Sequence, residues 1–190
     1  MIRLIAGDIR RKALWCYGND RPVDQLRATL ADGTAAIILY RLMQWSVHHR
    51  LGLLAMVFNK MNSAIVGCVI GRGADFGPGL VLVHANGIVI NGEVRGGSSV
   101  TIMHQVTIGA EGRASPTIGD RVFLGAGAKV IGPVVVGDGA RVGANAVVVR
   151  DVPPDCTVVG VPARVVRRRR PAPPASTTAI AVPAPDPSQV

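Results

Sequence analysis

Apolar residues recur at every sixth position from Ile70 onward. Thirteen of the fourteen positions reached by steps of six are aliphatic or phenylalanine, and the exception is Gly112. In order, the fourteen positions are Ile70, Phe76, Leu82, Ile88, Val94, Val100, Val106, Gly112, Ile118, Leu124, Val130, Val136, Val142 and Val148. A period of six fits neither an amphipathic helix nor alternating antiparallel strands. It predicts a repeat array in which three hexads form one triangular coil, with a short strand on each side.

Small residues support the same interpretation. Glycine follows the apolar position at residues 71, 77, 119, 125, 137 and 143, where a Cβ would obstruct a tight corner. Coils of this kind stack about 4.8 Å apart through parallel strand pairing. The fourteen hexads predict between four and five coils, which is enough for neighbouring coils to bury a continuous core.

The chain before Ile70 has helical spacing instead. Apolar residues at helical intervals, broken near residues 18–22 and 32–33, predict a helical subdomain over residues 1–62 that covers the first coil. The β-helix domain is predicted over residues 63–166. Residues 167–190 contain an arginine run and then six prolines, and they predict a basic, proline-rich disordered tail.

The composition favours one globular repeat protein over other classes. Hydrophobic residues make up 48% of the 190 residues, which is too many for a disordered chain. Aromatic residues make up only 4%, so the core must be built from small and β-branched side chains. Much of the net charge of +9 comes from Arg164 and the run 167–170, so no broad nucleic-acid-binding face is predicted.

Cysteine usage and the apolar segments bear on cellular location. Cys16, Cys68 and Cys156 are an odd number at irregular spacing, which suits a reducing compartment and predicts neither a disulfide framework nor a metal site. The N-terminus lacks the long apolar run of a secretory signal. The most apolar stretch, residues 35–58, is interrupted by basic and histidine side chains. We therefore expect a cytoplasmic protein without a membrane span.

Two long segments carry a family resemblance. They are LVLVHANGIVINGEVRGGSSVTIMHQVTIG and SPTIGDRVFLGAGAKVIGPVVVGDGARVGANAVVVRDVPPDCTVVGVPARVV. Both resemble the serine acetyltransferase group of hexapeptide-repeat acyltransferases and their relatives in surface-polysaccharide gene sets. The helical segment DGTAAIILYRLMQWSVHHR extends the resemblance to about residues 25–166. The resemblance implies a left-handed parallel β-helix, a homotrimer or dimer of trimers, and acetyl-CoA bound along the coils between subunits.

Histidine is the natural general base for such a reaction. Transfer of an acetyl group from a thioester to an alcohol needs a base for the hydroxyl proton and donors for the oxyanion, and histidine titrates near neutral pH. The repeat region has two histidines, His84 and His104, in hexads that start eighteen residues apart. This spacing predicts that the two histidines lie on the same face of successive coils. The resemblance favours His84, in HANGIVI, as the base. His104 is the second candidate or an acceptor-orienting group, and a purely structural histidine is the alternative for both.

The resemblance also implies a path for the cofactor. Ala126 and Ala144 match family positions whose backbone groups bond the pantetheine arm, and their small side chains would let it approach. Gly109 and Ala110 match a pair beside the thioester. The nucleotide phosphates would meet arginine, with Arg141 and Arg164 as candidates. For the glycines and alanines, plain coil geometry is the alternative explanation.

Three departures from the family weaken the case for L-serine as acceptor. Val83 stands where the family has an Asp before the histidine, Val69 stands where it has the Asp that orients the histidine, and the loop at 114–116 reads Ala-Ser-Pro instead of Arg-His-Pro. Charged groups are needed for the ammonium and carboxylate of an amino acid. The sequence therefore predicts an acetyl-CoA-dependent O-acetyltransferase acting on a sugar or other polyol. The alternatives are a serine O-acetyltransferase that makes O-acetylserine for cysteine biosynthesis, and a non-catalytic repeat scaffold.

Overall fold

Four helices form the N-terminal part of the molecule. The structure, a computed structural model, describes residues 1–168, and the rest of the predicted tail lies outside the described residues. Helix α1 ends at Gly18, which adopts a left-handed conformation and donates its N–H to the Leu14 carbonyl. Pro22 occupies the first turn of α2, where its missing N–H costs nothing. The helices are α1 (Ile2–Tyr17), α2 (Pro22–Leu30), α3 (Thr34–His48) and α4 (Gly52–Met61), and a π-helical turn (Asn62–Val66) follows them.

A parallel β-helix follows, as the hexad pattern predicts. Its short strands form three sheets of five, four and six strands, one on each side of the coil. Among the described strands, only the last pairs antiparallel to its neighbour. The strands are β1 (Val69–Ile70), β2 (Asp75–Phe76), β3 (Val81–Leu82), β4 (Val89–Ile90), β5 (Arg95–Gly96), β6 (Thr101–Ile102), β7 (Thr107–Gly109), β8 (Thr117–Ile118), β9 (Phe123–Leu124), β10 (Lys129–Ile131), β11 (Val135–Val136), β12 (Arg141–Val142), β13 (Val147–Val148), β14 (Cys156–Val159) and β15 (Arg164–Arg168). Strand β15 thus includes the first two residues of the segment predicted as tail.

The coils do not keep the constant six-residue step of the sequence pattern. Three exact hexads would pair Val69 with Gly87, but its partner on the next coil is Val89. Thr107 likewise pairs with Lys129 instead of Gly125. The extra residues lie in the β3–β4 turn and in the loop at 110–116. The two insertions add up to six residues, so after the loop every sixth residue again occupies the same position in its strand as before the first insertion.

Between these two insertions, the apolar residues found at every sixth position belong to a second row of side chains that point into the core. Each strand sends one residue into the core, and the residue two positions earlier also points inward. The residues two positions before the inward residue of each strand are Ile88, Val94, Val100 and Val106, and all four are fully buried. The positions that align with Ile70, Phe76 and Leu82 on the next coil are Ile90, Gly96 and Ile102.

Buried polar side chains fasten the helices to the first coil. The Arg41 guanidinium donates to both carboxylate oxygens of Asp8 and to the carbonyls of Phe76 and Gly77. Tyr40 donates its hydroxyl to the Ala74 carbonyl, and burial raises the pKa of this phenol. Breaking a buried pair such as Asp8–Arg41 costs about 3–5 kcal/mol, because the remaining charge has no partner. The helical subdomain is therefore held in a defined position over the coils.

Among residues 1–168, no helix has the length and apolar character needed to cross a membrane.

Candidate active site

One corner of the β-helix brings the two candidate histidines together. The turn from β3 to β4 stacks on the turn from β6 to β7, because the Val83 N–H donates to the Ile102 carbonyl (3.0 Å) and the Gln105 N–H to the Asn86 carbonyl (3.0 Å). His84 and His104 therefore occupy equivalent places on successive coils. Their ring centroids lie 6.1 Å apart in an edge-to-face arrangement.

The proximity predicted from sequence is found, but the reason differs. The hexads of His84 and His104 start eighteen residues apart by the fixed step, which puts the histidines at different places within their hexads. The β3–β4 turn contains two extra residues, so Leu82 aligns with Ile102 instead of Val100. This shift makes the two histidines equivalent.

Asp32 lies beside His84, and sequence reasoning missed it. Its Oδ2 lies 3.3 Å from His84 Nδ1, and both side chains are accessible, with 82% of Asp32 and 54% of His84 exposed. Asp32 belongs to the turn between α2 and α3. The only sequence signal is an Asp-Gly pair between two helical patterns, which indicates a turn but no chemistry. The place where the family resemblance puts an orienting Asp is Val69, on β1.

Lys12 ties the same turn to the β-helix. Its ammonium donates to the carbonyl of Asp32 and, at 3.0 Å, to the carbonyl of Leu82, two residues before His84. Only 1% of Lys12 is exposed. Burial lowers the pKa of this amine to about 8, and the nearby Cys16 and Asp32 oppose that shift.

The turns of successive coils stack in a column, and this column continues from His104 to the candidate cofactor residues. The Gly127 N–H donates to the His104 carbonyl (2.9 Å), and the Asn145 N–H donates to the Ala126 carbonyl (2.8 Å). Ala126 and Ala144 therefore follow His104 on the next two coils. Ala144 is exposed and Ala126 half-buried, so the side chains at these two positions form a strip of methyl groups along this corner of the β-helix.

The remaining candidates lie away from this corner. Gly109 is the last residue of β7, and with Ala110 it lies at the carboxyl end of that strand, whereas His104 precedes the amino end. The Arg141 guanidinium lies over the Phe123 ring at 4.3 Å, on the outer face of the six-stranded sheet. Arg164 opens β15, is exposed, and donates to the Ala163 carbonyl.

A cavity of about 340 Å³ lies between the helices and β2. Arg41, Gln44, Trp45 and Asp75 contribute to its walls, but the guanidinium of Arg41 is already satisfied by Asp8 and backbone carbonyls. We therefore place the chemistry at the open histidine corner. Within residues 1–168, no group of three or more His, Cys, Asp or Glu side chains is arranged to hold a metal ion.

Comparisons with known proteins agree with this architecture. Residues 115–150 match the family model for the bacterial transferase hexapeptide (six repeats). The chain is 42% identical over 145 residues to a serine acetyltransferase of Mycobacterium tuberculosis, which covers 74% of this chain and 63% of the relative. It is 40% identical over 145 residues to a serine acetyltransferase of Helicobacter pylori (strain J99), covering 74% of this chain and 85% of the relative.

A solved structure of a serine acetyltransferase in complex with CoA has a TM-score of 0.76 to this chain. The two are 30% identical, and the match covers 85% of this chain and 68% of that one. The chain therefore belongs to the hexapeptide-repeat acyltransferase family, in its serine acetyltransferase group, and its fold is the expected left-handed β-helix. It spans less than two thirds of the length of the M. tuberculosis relative.

Proposed function

We propose that this chain transfers the acetyl group of acetyl-CoA to a hydroxyl group of a small acceptor. The observation that carries the proposal is the histidine corner, where His84 and His104 begin a column that continues along Ala126 and Ala144. In this proposal residues 63–166 form the acyltransferase domain and residues 1–62 the helical subdomain. The cytoplasmic location expected from the sequence is part of the same proposal.

His84 acts as the general base in this reaction. As the acceptor oxygen attacks the thioester carbonyl, its proton passes to Nε2 of His84. The new C–O bond forms, the C–S bond breaks, and His84 returns the proton to the sulfur of CoA. His104 is close enough to orient the acceptor, and it is the second candidate for the base.

The strip beside Ala126 and Ala144 receives the pantetheine arm. Small side chains let backbone groups approach a thin ligand, and a CoA complex of a structural relative supports this use of the fold. Arg141 and Arg164 are candidates for the phosphates. Gly109 and Ala110 lie at the carboxyl end of β7, away from the histidine corner, so they would serve a site completed by a second subunit of a homotrimer.

L-serine is the acceptor that the relatives favour, since the compared proteins are named serine acetyltransferases. The comparisons do not support the sugar or polyol acceptor that the sequence departures suggested. It remains a second candidate because Val83 and the loop Ala114-Ser115-Pro116 place uncharged side chains where the family has charged ones.

An acceptor panel separates these possibilities. Release of CoA thiol from acetyl-CoA is measured with L-serine, with uncharged sugars and polyols, and without acceptor. We expect acceptor-dependent turnover with L-serine. Turnover only with sugars would select the second candidate, and failure to bind CoA in a titration would identify a scaffold.

Two variants assign the base. His84→Ala should lower the acetyl-transfer rate by about 10² to 10⁴, the contribution of a positioned base, while CoA affinity stays within a few fold. His104→Ala should have a smaller effect. A His84→Ala rate within threefold of wild type would make His104 the base.

A further inference from the structure

The partner of His84 comes from the helical subdomain, 52 residues earlier in the chain. Val83 and Val69 stand at the two positions where the family resemblance puts an Asp near the catalytic histidine, so neither position offers a carboxylate to Nδ1 of His84. The Oδ2 atom of Asp32 lies 3.3 Å from this nitrogen instead. Asp32 can orient the ring only if the turn that carries it has a fixed position relative to β3.

Two contacts fix that turn against β3. Gly33 has a φ of +81°, and a Cβ at this residue would meet the Leu82 carbonyl carbon at 3.0 Å. The backbone of the turn therefore lies directly on the strand. The buried ammonium of Lys12 bridges the Asp32 and Leu82 carbonyls. The backbones that carry Asp32 and His84 are thus joined through one cation and one glycine contact.

We propose that Asp32 is the positioning residue for His84. Its carboxylate accepts the Nδ1–H of the imidazole, which orients the ring and leaves the lone pair of Nε2 free to take the proton of the acceptor hydroxyl. The tautomer of a histidine is set by the hydrogen bond that its other ring nitrogen makes. This inference rests on the proposed acetyl transfer for its role in the rate, but the pairing itself does not depend on it.

The first test reads the tautomer directly. ¹⁵N chemical shifts of the His84 ring, recorded above the pH of imidazole titration, distinguish Nδ1–H from Nε2–H. We expect Nδ1–H in the wild type and in Asp32→Glu. In Asp32→Ala the ring should change to Nε2–H, which unconstrained neutral histidine prefers. Asp32 is largely exposed, so the substitution leaves the core intact.

The second test uses steady-state kinetics. Asp32→Ala should lower kcat about tenfold, less than the loss of the base itself because the pair is exposed to solvent. KM for acetyl-CoA should stay within twofold, and Asp32→Glu should recover part of kcat. The matched control is Glu93→Ala, which removes an exposed carboxylate from the turn between β4 and β5 and should behave as wild type.

The outcomes separate this inference from the proposed function. An unchanged Nδ1–H tautomer in Asp32→Ala overturns the pairing, and a kcat within twofold of wild type overturns its role in the rate. If the tautomer changes but the wild-type protein transfers acetyl to no acceptor, the pairing stands and the proposed function fails.

Discussion

At the scale of single residues, the place within a coil decides whether a side chain fills the core or stays at the surface. Ala128 and Ala146 are fully buried and lie inside the strands' inward rows. Ala144, two residues before Ala146, is exposed at the corner. Alanine therefore packs in the core at Ala128 and Ala146, whereas at Ala144 it leaves the neighbouring backbone accessible.

Enlarging the exposed alanine should weaken cofactor binding before it affects folding. We expect Ala144→Leu to raise the dissociation constant for CoA about tenfold, because the added side chain occupies the strip beside the backbone and overlap of this kind costs about 1–3 kcal/mol. Calorimetric titration with CoA measures this. Ala35→Leu, an exposed substitution on α3, should bind CoA as the wild type does. Equal affinities for the two variants would show that CoA does not pass Ala144.

At the scale of elements, the helices are attached to the β-helix by buried polar groups as well as by apolar contacts. Asp8 accepts bonds from Arg41 and from the N–H groups of Gly79 and Leu80. Tyr40 accepts the Phe76 N–H, and Lys12 bridges two carbonyls. Such groups are directional, so they define one position of the helices on the first coil.

Lys12 makes the stability of this attachment depend on pH. The pKa of its amine is about 8 in the folded protein against an ordinary 10.5. Between these values the unfolded chain binds a proton that the folded chain does not, so the free energy of unfolding rises with pH. Relative to Lys12→Met, the wild type should gain about 3 kcal/mol across this window.

Urea unfolding of both proteins at several pH values measures this gain. Comparison of the two proteins cancels the titration of groups that do not interact with Lys12. The exposed Lys60→Met serves as control and should show no such gain. A constant difference between wild type and Lys12→Met from pH 8 to 10.5 would contradict the prediction.

At the scale of the whole molecule, the outer face of the β-helix carries valine side chains that are exposed in the single chain. Val69 and Val89 pair side by side and are 41% and 44% exposed. Val135, on the neighbouring sheet, is 50% exposed. Val69 and Val89 form an exposed apolar pair, and exposed apolar surface of this kind indicates an interface.

We therefore expect a trimer or a multiple of one. Light scattering at micromolar concentration should give at least three times the chain mass of 19.8 kDa, because association removes the valine faces from water. Val89→Glu should shift the mass toward a single chain and lower turnover. Gln25→Glu, on α2, adds the same charge and should remain trimeric. A wild-type mass equal to that of one chain would refute the prediction.

The sequence by itself determined the repeat architecture. The apolar period of six and the corner glycines are local properties, because each hexad must send its apolar residue inward whatever the rest of the chain does. The same pattern predicted that His84 and His104 meet, and the family resemblance pointed to Ala126 and Ala144 on the coils that follow.

Only the tertiary structure decided how the histidine corner is completed. The two extra residues after β3 do not interrupt the apolar pattern, because every sixth residue after them still points into the core, although from a different position in the strand. The alignment of His84 with His104 is therefore visible only from the pairing of the strands. Lys12 belongs to helix α1 and Asp32 to the turn between α2 and α3. The spacing of apolar residues in a helix indicates which face is buried, but not which element packs against it. The contacts of Asp32 with His84 and of Lys12 with Leu82 span 52 and 70 residues, and periodicity carries no information about contacts at that separation.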